Sequence, residues 1–146
     1  SEEIPVSLEG NSDSFRMKLS FLPNGNCVIL PNINGRGYGF FKITEGESSG
    51  LWSVLRSSED EVLKGSLLIT LYENLRWKTI SPQGFREEML AYLPNESNSL
   101  LFSMALSYLG DCQRIFPSDS RPLEQVLWKI VTTNPVSQHR LQAFRL

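Results

Sequence analysis

In roughly the first third of the chain, hydrophobic and polar residues alternate in short runs, as they do in β-strands. In the clearest run, residues 14–21, every second side chain is apolar, and Arg16, Lys18 and Ser20 lie between the apolar positions. This alternation predicts a strand with one buried and one solvated face. The other predicted strands, which are separated by turn-forming residues at 23–26 and 31–35, lie at residues 4–9, 27–30 and 38–43.

The rest of the chain carries apolar residues three and four positions apart, the spacing of amphipathic helices. A polar linker is predicted at residues 45–50, followed by a short helical turn and then by five helices. Ser58 is the predicted N-cap of the first helix, Ser81–Pro82 starts the second, and Gly110 ends the third. The last helix is predicted to run from residue 138 to residue 146. The helices recur about every 20 residues, or roughly 40 residues per pair, and the latter is the period of HEAT-like helical pairs.

Together these patterns predict an α+β fold, in which a small antiparallel β-sheet (part of a β-sandwich) precedes an α-helical HEAT-like superhelical array. The predicted boundary assigns residues 1–45 to the β portion and residues 46–146 to a truncated array of helical pairs. Four short strands need a cover for their inner face. We therefore expect the chain to be part of a longer protein, and we expect the uncovered sheet face to promote self-association.

Composition excludes two classes of partner. The 146 residues include 14 Lys and Arg against 16 Asp and Glu, so the net charge of -2 lacks the basic field of a nucleic-acid-binding protein. No apolar run approaches the roughly 20 residues of a membrane span. Cys27 and Cys112 lie in different halves of the chain, and either a disulfide or two separate thiols is compatible with that spacing.

The sequence contains one histidine, His139, which excludes any zinc site that requires two imidazoles. Its position one turn into a polar helix start predicts a solvent-facing side chain. The sequence contains the residue types of a Ser-His-Asp triad, but it has no Gly-x-Ser-x-Gly motif to support one. The sequence therefore assigns no catalytic residue and no metal ligand, and the substrate-binding residues are unknown.

The other clusters of polar or small residues have structural interpretations. Three glycines within residues 35–39 predict backbone torsions that a Cβ would forbid, and the segment lacks the Lys-Ser/Thr pair of a phosphate loop. The carboxylates at residues 59–61 and 87–88 predict solvated helix surface, because adjacent helical residues point apart. Residues 95–97 match the Asn-x-Ser glycosylation pattern. Core packing or, alternatively, a partner-binding groove is predicted for the aromatic residues Tyr72, Trp77, Tyr92, Tyr108 and Trp128.

One stretch resembles a known family. Residues 31–41, Pro-Asn-Ile-Asn-Gly-Arg-Gly-Tyr-Gly-Phe-Phe, resemble the junction between the small β-sandwich domain and the helical superhelix of aminopeptidase-N-like zinc metallopeptidases (peptidase family M-one, gluzincins). Residues 65–74 and the Ser81–Pro82 helix start are similar to early helices of that superhelix. The resemblance covers most of the chain through structural motifs.

The resemblance implies a non-catalytic C-terminal piece of a zinc-dependent aminopeptidase. The family's zinc-binding helix, exopeptidase motif and transition-state tyrosine lie upstream of such a junction, so none is carried over to this chain. Zinc is expected in the catalytic domain of the parent, and the implied partners are its peptide substrate and its remaining domains. The superhelix would shape substrate access. The alternative is a stand-alone helical-repeat adaptor for a protein partner, with a β cap.

Overall fold

The computed structural model describes residue 30 and residues 39–145. This part of the chain is all-helical and contains no β-strand, so the predicted α+β fold is wrong for it. A short 3-10 helix, Leu93–Asn95, follows the third of its six α-helices. The α-helices are α1 (Glu45–Ser57), α2 (Glu61–Arg76), α3 (Pro82–Tyr92), α4 (Ser99–Ile115), α5 (Arg121–Thr133) and α6 (Ser137–Phe144).

The predicted strand at residues 38–43 is absent over residues 39–43, which run into α1 without a strand partner. The physical reason is that their backbone groups bond to a helix instead, through the side chain of Asn74. Gly39 has φ +152°, a torsion that favours glycine, as the glycine-rich pattern predicts. The other predicted strands lie outside the described residues, apart from Leu30, and so does the sheet face predicted to self-associate.

The predicted linker at residues 45–50 is instead the first part of α1. Thr44 and Glu47 form a capping box, in which the Thr44 hydroxyl accepts from the Glu47 N–H at 3.4 Å and the Glu47 carboxylate accepts from the Thr44 N–H at 2.7 Å. The hydrogen bonds that the Thr44 N–H and hydroxyl donate to the Glu47 carboxylate lower the pKa of Glu47. Ser48 and Leu51 are buried on the inner face of the helix. Local capping and burial thus extend the helix through a segment of polar composition.

Replacing Thr44 with alanine is expected to destabilise the protein by about 1 kcal/mol, because the first turn of α1 loses its side-chain cap. Urea unfolding followed by circular dichroism measures the change. Thr44→Ser is the matched control, since it keeps the hydroxyl, and its stability should stay close to that of the unmodified chain. Equal losses in the two variants would contradict a capping role.

Other helix boundaries differ from the predictions by a few residues. Asp60, not Ser58, caps α2, and its carboxylate accepts from two N–H groups of the first turn. The predicted start of α3 is confirmed, with Ser81 as N-cap. Gly110 does not end α4, because Cys112, one turn beyond the buried Leu109, continues its inner face.

The core lies around α2 and α4. Helix α2 contacts α1, α3 and α4, and α4 also contacts α3 and α6, while α5 packs mainly on α6. Cys112 is a free, buried thiol that contributes to this core. No helix in the described part of the chain is long and apolar enough to cross a membrane. The largest side chains that are fully buried include Leu67, Leu68, Leu71, Leu75, Phe85, Met89, Phe102 and Leu109.

The aromatic residues predicted to pack in the core divide into two groups. Tyr92 is buried, and the rings of Tyr72 and Tyr108 stack at 4.0 Å with an interplanar angle of 3°. Trp77 and Trp128 are instead 70% and 69% exposed. Core packing therefore accounts for the tyrosines but not for these two tryptophans.

Candidate functional site

Residues 41–43, which follow the glycine-rich segment, are attached to the helices by one buried side chain, that of Asn74 on α2. Its Oδ1 accepts from the Ile43 N–H at 2.9 Å and from the Thr79 hydroxyl at 2.6 Å. Its Nδ2 donates to the carbonyls of Phe41 and Thr70, both at 2.8 Å. Each donor position of the amide is used and its oxygen accepts twice, so the group is fully hydrogen-bonded although it is 0% exposed. We call this arrangement the Asn74 clamp.

Apolar contacts on both sides of the Asn74 clamp reinforce it. Ile43 is 4% exposed and belongs to the core. The Phe40 ring lies 5.5 Å from that of Trp77, just past the C-terminal end of α2. Residues 40–43 are therefore held along α2 in three ways. Their backbone forms two hydrogen bonds to the Asn74 side chain, the Ile43 side chain is buried, and the Phe40 ring contacts that of Trp77.

Beside the clamp, α2 and α4 border an open apolar groove of about 840 Å³. Val62, Ile69 and Leu100, which line it, are 67%, 45% and 75% exposed. Glu61 and Glu73, one near each end of α2, add carboxylates to the lining.

A second group of interacting polar residues surrounds Glu96, which is only 3% exposed. Its carboxylate pairs with the Lys64 ammonium and accepts from the Tyr92 hydroxyl. The other oxygen accepts from the Asn98 N–H at 2.7 Å. Lys64 also lies over the Tyr92 ring, 5.5 Å from its centroid. The Glu96 cluster therefore joins α2, α3 and the start of α4.

The contacts of Glu96 decide its charge. Burial on its own raises the pKa of a carboxyl, but the hydrogen bonds from the ammonium, the phenol and the backbone N–H outweigh it, so the pKa of Glu96 lies below its ordinary value. Burial raises the pKa of Tyr92, and the hydrogen bond to Glu96 raises it further. At neutral pH the Glu96 carboxylate is therefore ionised and the Tyr92 phenol is neutral.

His139 extends this polar region, and the prediction that it faces solvent is wrong. The residue is 0% exposed. Its ring stacks on that of Phe102 with centroids 4.1 Å apart and planes 5° apart, and its Nε2 lies 3.1 Å from the Ser99 hydroxyl oxygen. The physical reason is that α6 packs on α4 through the face that carries His139 and Ala143.

The contact between Ser99 and His139 has the distance of a nucleophile and its base. A catalytic imidazole also needs an acceptor that orients its second nitrogen. In the described part of the chain, His139 Nδ1 is buried and has no hydrogen-bond partner. Both oxygens of the nearby Glu96 carboxylate are already bonded to other groups. The geometry of this pair therefore supports a packing role, and no Ser-His-Asp triad is assembled among residues 39–145.

The described residues do not fit a zinc site. Nowhere in residues 39–145 do three or more His, Cys, Asp or Glu side chains gather in an arrangement that could hold a metal ion. Two of the carboxylates at residues 59–61 and 87–88 have structural roles instead: Asp60 caps α2, and Glu88 pairs with Arg56 on α1.

Comparison with known proteins found no relative: no protein-family model, no curated protein and no solved structure matches this chain.

The sequence analysis did not identify Asn74 and Glu96 as residues that organise the structure. For Asn74 one signal was present, since an amide stands among buried positions of an apolar helix. Glu96 lies within the Asn-x-Ser pattern, which drew attention to Asn95 instead.

Proposed function

We propose that this chain is a non-catalytic part of a zinc-dependent aminopeptidase of the aminopeptidase-N type. Its role in this proposal is structural: it forms helices that shape substrate access to an active site lying outside the chain. Zinc and the reacting groups are assigned to the catalytic domain of the parent, and no catalytic step is placed on residues of this chain.

The Asn74 clamp is the observation that carries the proposal. The resemblance rests on two separate stretches, the junction at residues 31–41 and the helical stretch at residues 65–74. Asn74 ends the second stretch, and it bonds to the carbonyl of Phe41, which ends the first. At a junction between two domains, such an attachment would hold the connecting segment on the helices and limit their movement relative to the domain before them.

The succession of helices also supports the proposal. The Ser81–Pro82 start of α3, part of the resemblance, is an N-cap followed by proline in the first turn. Helix α2 contacts the helices on either side of it in sequence, as α4 contacts α3 and α5 contacts α6. Contacts between successive helices are typical of helical-repeat arrays.

The alternative function is a stand-alone adaptor that binds a protein partner. The groove between α2 and α4 favours it, because exposed apolar side chains lining a concave surface are typical of interaction sites. In the aminopeptidase proposal, the same groove would be available to other domains of the parent or to the peptide.

The reading frame that encodes the chain distinguishes the two functions. The aminopeptidase proposal expects several hundred upstream codons that include a His-Glu-x-x-His helix and a Gly-x-Met-x-Asn motif. The purified parent should then contain stoichiometric zinc and release an amino acid from an aminoacyl p-nitroanilide, while residues 1–146 alone should do neither. A frame that starts near Ser1 and stops near Leu146 would overturn the proposal in favour of the adaptor, and turnover by the 146-residue chain itself would overturn both.

A further inference from the structure

Helix α6 contacts α4 through a face that includes the buried side chain of His139. Apart from α5, the principal neighbour of α6 is α4. On α4 the imidazole meets one apolar ring, that of Phe102, and one hydroxyl, that of Ser99. The α5–α6 pair is therefore joined to the other helices across a contact that includes the only histidine of the sequence.

The two protonation states of the imidazole differ in what this contact can satisfy. When the ring is neutral with its proton on Nε2, that N–H can donate to the Ser99 oxygen, and Nδ1 is left only with an unfilled acceptor. When the ring is charged, both nitrogens are donors, and the N–H on Nδ1 has no acceptor among the described residues. A buried cation with an unpaired donor is far more costly than a buried neutral ring.

The charged groups near His139 do not reverse this balance. The carboxylate of Glu96 favours the charged ring, but it is already paired with Lys64. Tyr92 donates its hydroxyl to that same carboxylate. Burial is the larger effect and lowers the pKa of His139 below its ordinary value. On α5 and α6, the charged side chains of Glu124, Lys129 and Arg140 are exposed to solvent, and Arg121 pairs with Asp119. On α4, Asp111 and Arg114 pair with each other.

We propose that His139 is a pH-sensitive latch, which holds the α5–α6 pair on α4 when its buried ring is neutral and releases the pair when the ring takes up a proton. The latch is independent of the proposed aminopeptidase role, because it rests only on contacts within this chain. Its consequence is that acidification opens one end of the helical array while the contacts among α1, α2 and α3 remain.

The pH window follows from the direction of the shift. An unfolded histidine titrates at about 6.5. Because the folded pKa is lower, the unfolded or opened state binds more protons below that pH, so stability is lost as the pH falls from about 6.5 through the folded pKa. Glu96 titrates in a separate pH range. Because its pKa is lowered in the folded state, the stabilisation that its carboxylate provides is lost only below about pH 4.5.

Native-state hydrogen exchange on the full chain tests the latch at pH 7.5 and pH 5.0, after correction for intrinsic exchange rates. We expect the opening constant of amides in α5 and α6 to rise on the order of tenfold at the lower pH, because the opened state takes up a proton that the buried ring excludes. Amides of α1 and α2 should change much less. His139→Phe and His139→Gln should both abolish the difference, since neither side chain takes up a proton in this range.

Equal opening of α1–α2 and α5–α6 at pH 5.0 would overturn the proposal, as would an unchanged pH response in a folded variant. A second measurement needs no variant. Because the sequence has one histidine, its ring protons give an unambiguous NMR titration. An apparent pKa below about 6.5 is expected, and a value at or above this ordinary value would contradict the latch.

Discussion

Replacing Asn74 with leucine should destabilise the protein by about 4 kcal/mol, because the buried Ile43 N–H and Phe41 carbonyl each lose their partner at a cost of about 1–3 kcal/mol. Leucine has the same branched arrangement of side-chain heavy atoms and larger methyl groups, so the loss cannot come from a cavity. Urea unfolding followed by tryptophan fluorescence measures it. Chymotrypsin should also cleave after Phe40 or Phe41 more readily in the variant, since the segment is no longer held on α2.

Thr79→Val is the matched control for the Asn74 clamp. It removes the hydrogen bond from the Thr79 hydroxyl to Asn74 Oδ1 but leaves both bonds to the junction backbone. We expect it to cost about 1 kcal/mol, the net value of one hydrogen bond. If Asn74→Leu proved no worse than Thr79→Val, and cleavage after Phe40 and Phe41 did not increase, the clamp would not be what holds the junction.

Replacing Glu96 with alanine should cost about 3–5 kcal/mol, the usual effect of removing one partner of a buried ion pair. The Lys64 ammonium would lose its counter-ion, and the Tyr92 hydroxyl and Asn98 N–H would lose their acceptor. These three groups lie on α2, on α3 and at the start of α4, so their loss weakens the packing of all three helices. Thermal and urea unfolding of the variant measure the effect.

The chain supplies its own control in a second ion pair between helices. Arg56 on α1 pairs with Glu88 on α3, and their side chains are 40% and 34% exposed. Glu88→Ala should therefore cost less than about 1 kcal/mol, since solvent screens exposed pairs. Similar losses for Glu88→Ala and Glu96→Ala would show that burial of the Glu96 carboxylate does not matter.

The lowered pKa of Glu96 gives the same comparison a pH dependence. A carboxyl with a lowered folded pKa stabilises the protein fully above its unfolded pKa and loses that contribution as the pH falls through the folded pKa. The stability difference between the unmodified chain and Glu96→Ala should therefore be constant near neutrality and should shrink only below about pH 4.5.

How far the sequence predicts this fold varies from element to element. The start of α3 was predictable, because Ser81 and Pro82 act within one helical turn. The start of α2 was missed by two residues, since Ser58 and Asp60 are both good caps and only the path of the chain selects Asp60. The predicted strand at residues 38–43 failed for a different reason. Alternation of apolar residues reports a segment with one buried side, and a helix can supply that side as well as a sheet can.

The candidate sites depended still more on tertiary structure. A lone histidine near a polar helix start is predicted to be exposed, yet the packing of α6 on α4 buries His139 against Phe102 and Ser99. No local pattern distinguishes Glu96 from the many surface carboxylates. Its partners Lys64 and Tyr92 lie elsewhere along the chain, and only the meeting of three helices makes it a buried ion.

The sequence by itself determined the helical character of most residues from 51 onward, the near-neutral charge balance and the need for glycine at position 39, because each follows from local periodicity, composition or one backbone torsion. Tertiary structure decided which polar side chains organise the molecule. Asn74, Glu96 and His139 matter because distant segments place unpaired backbone groups, an ammonium and an aromatic ring against them. The energy of a buried polar group depends on those partners, and no single stretch of sequence contains them.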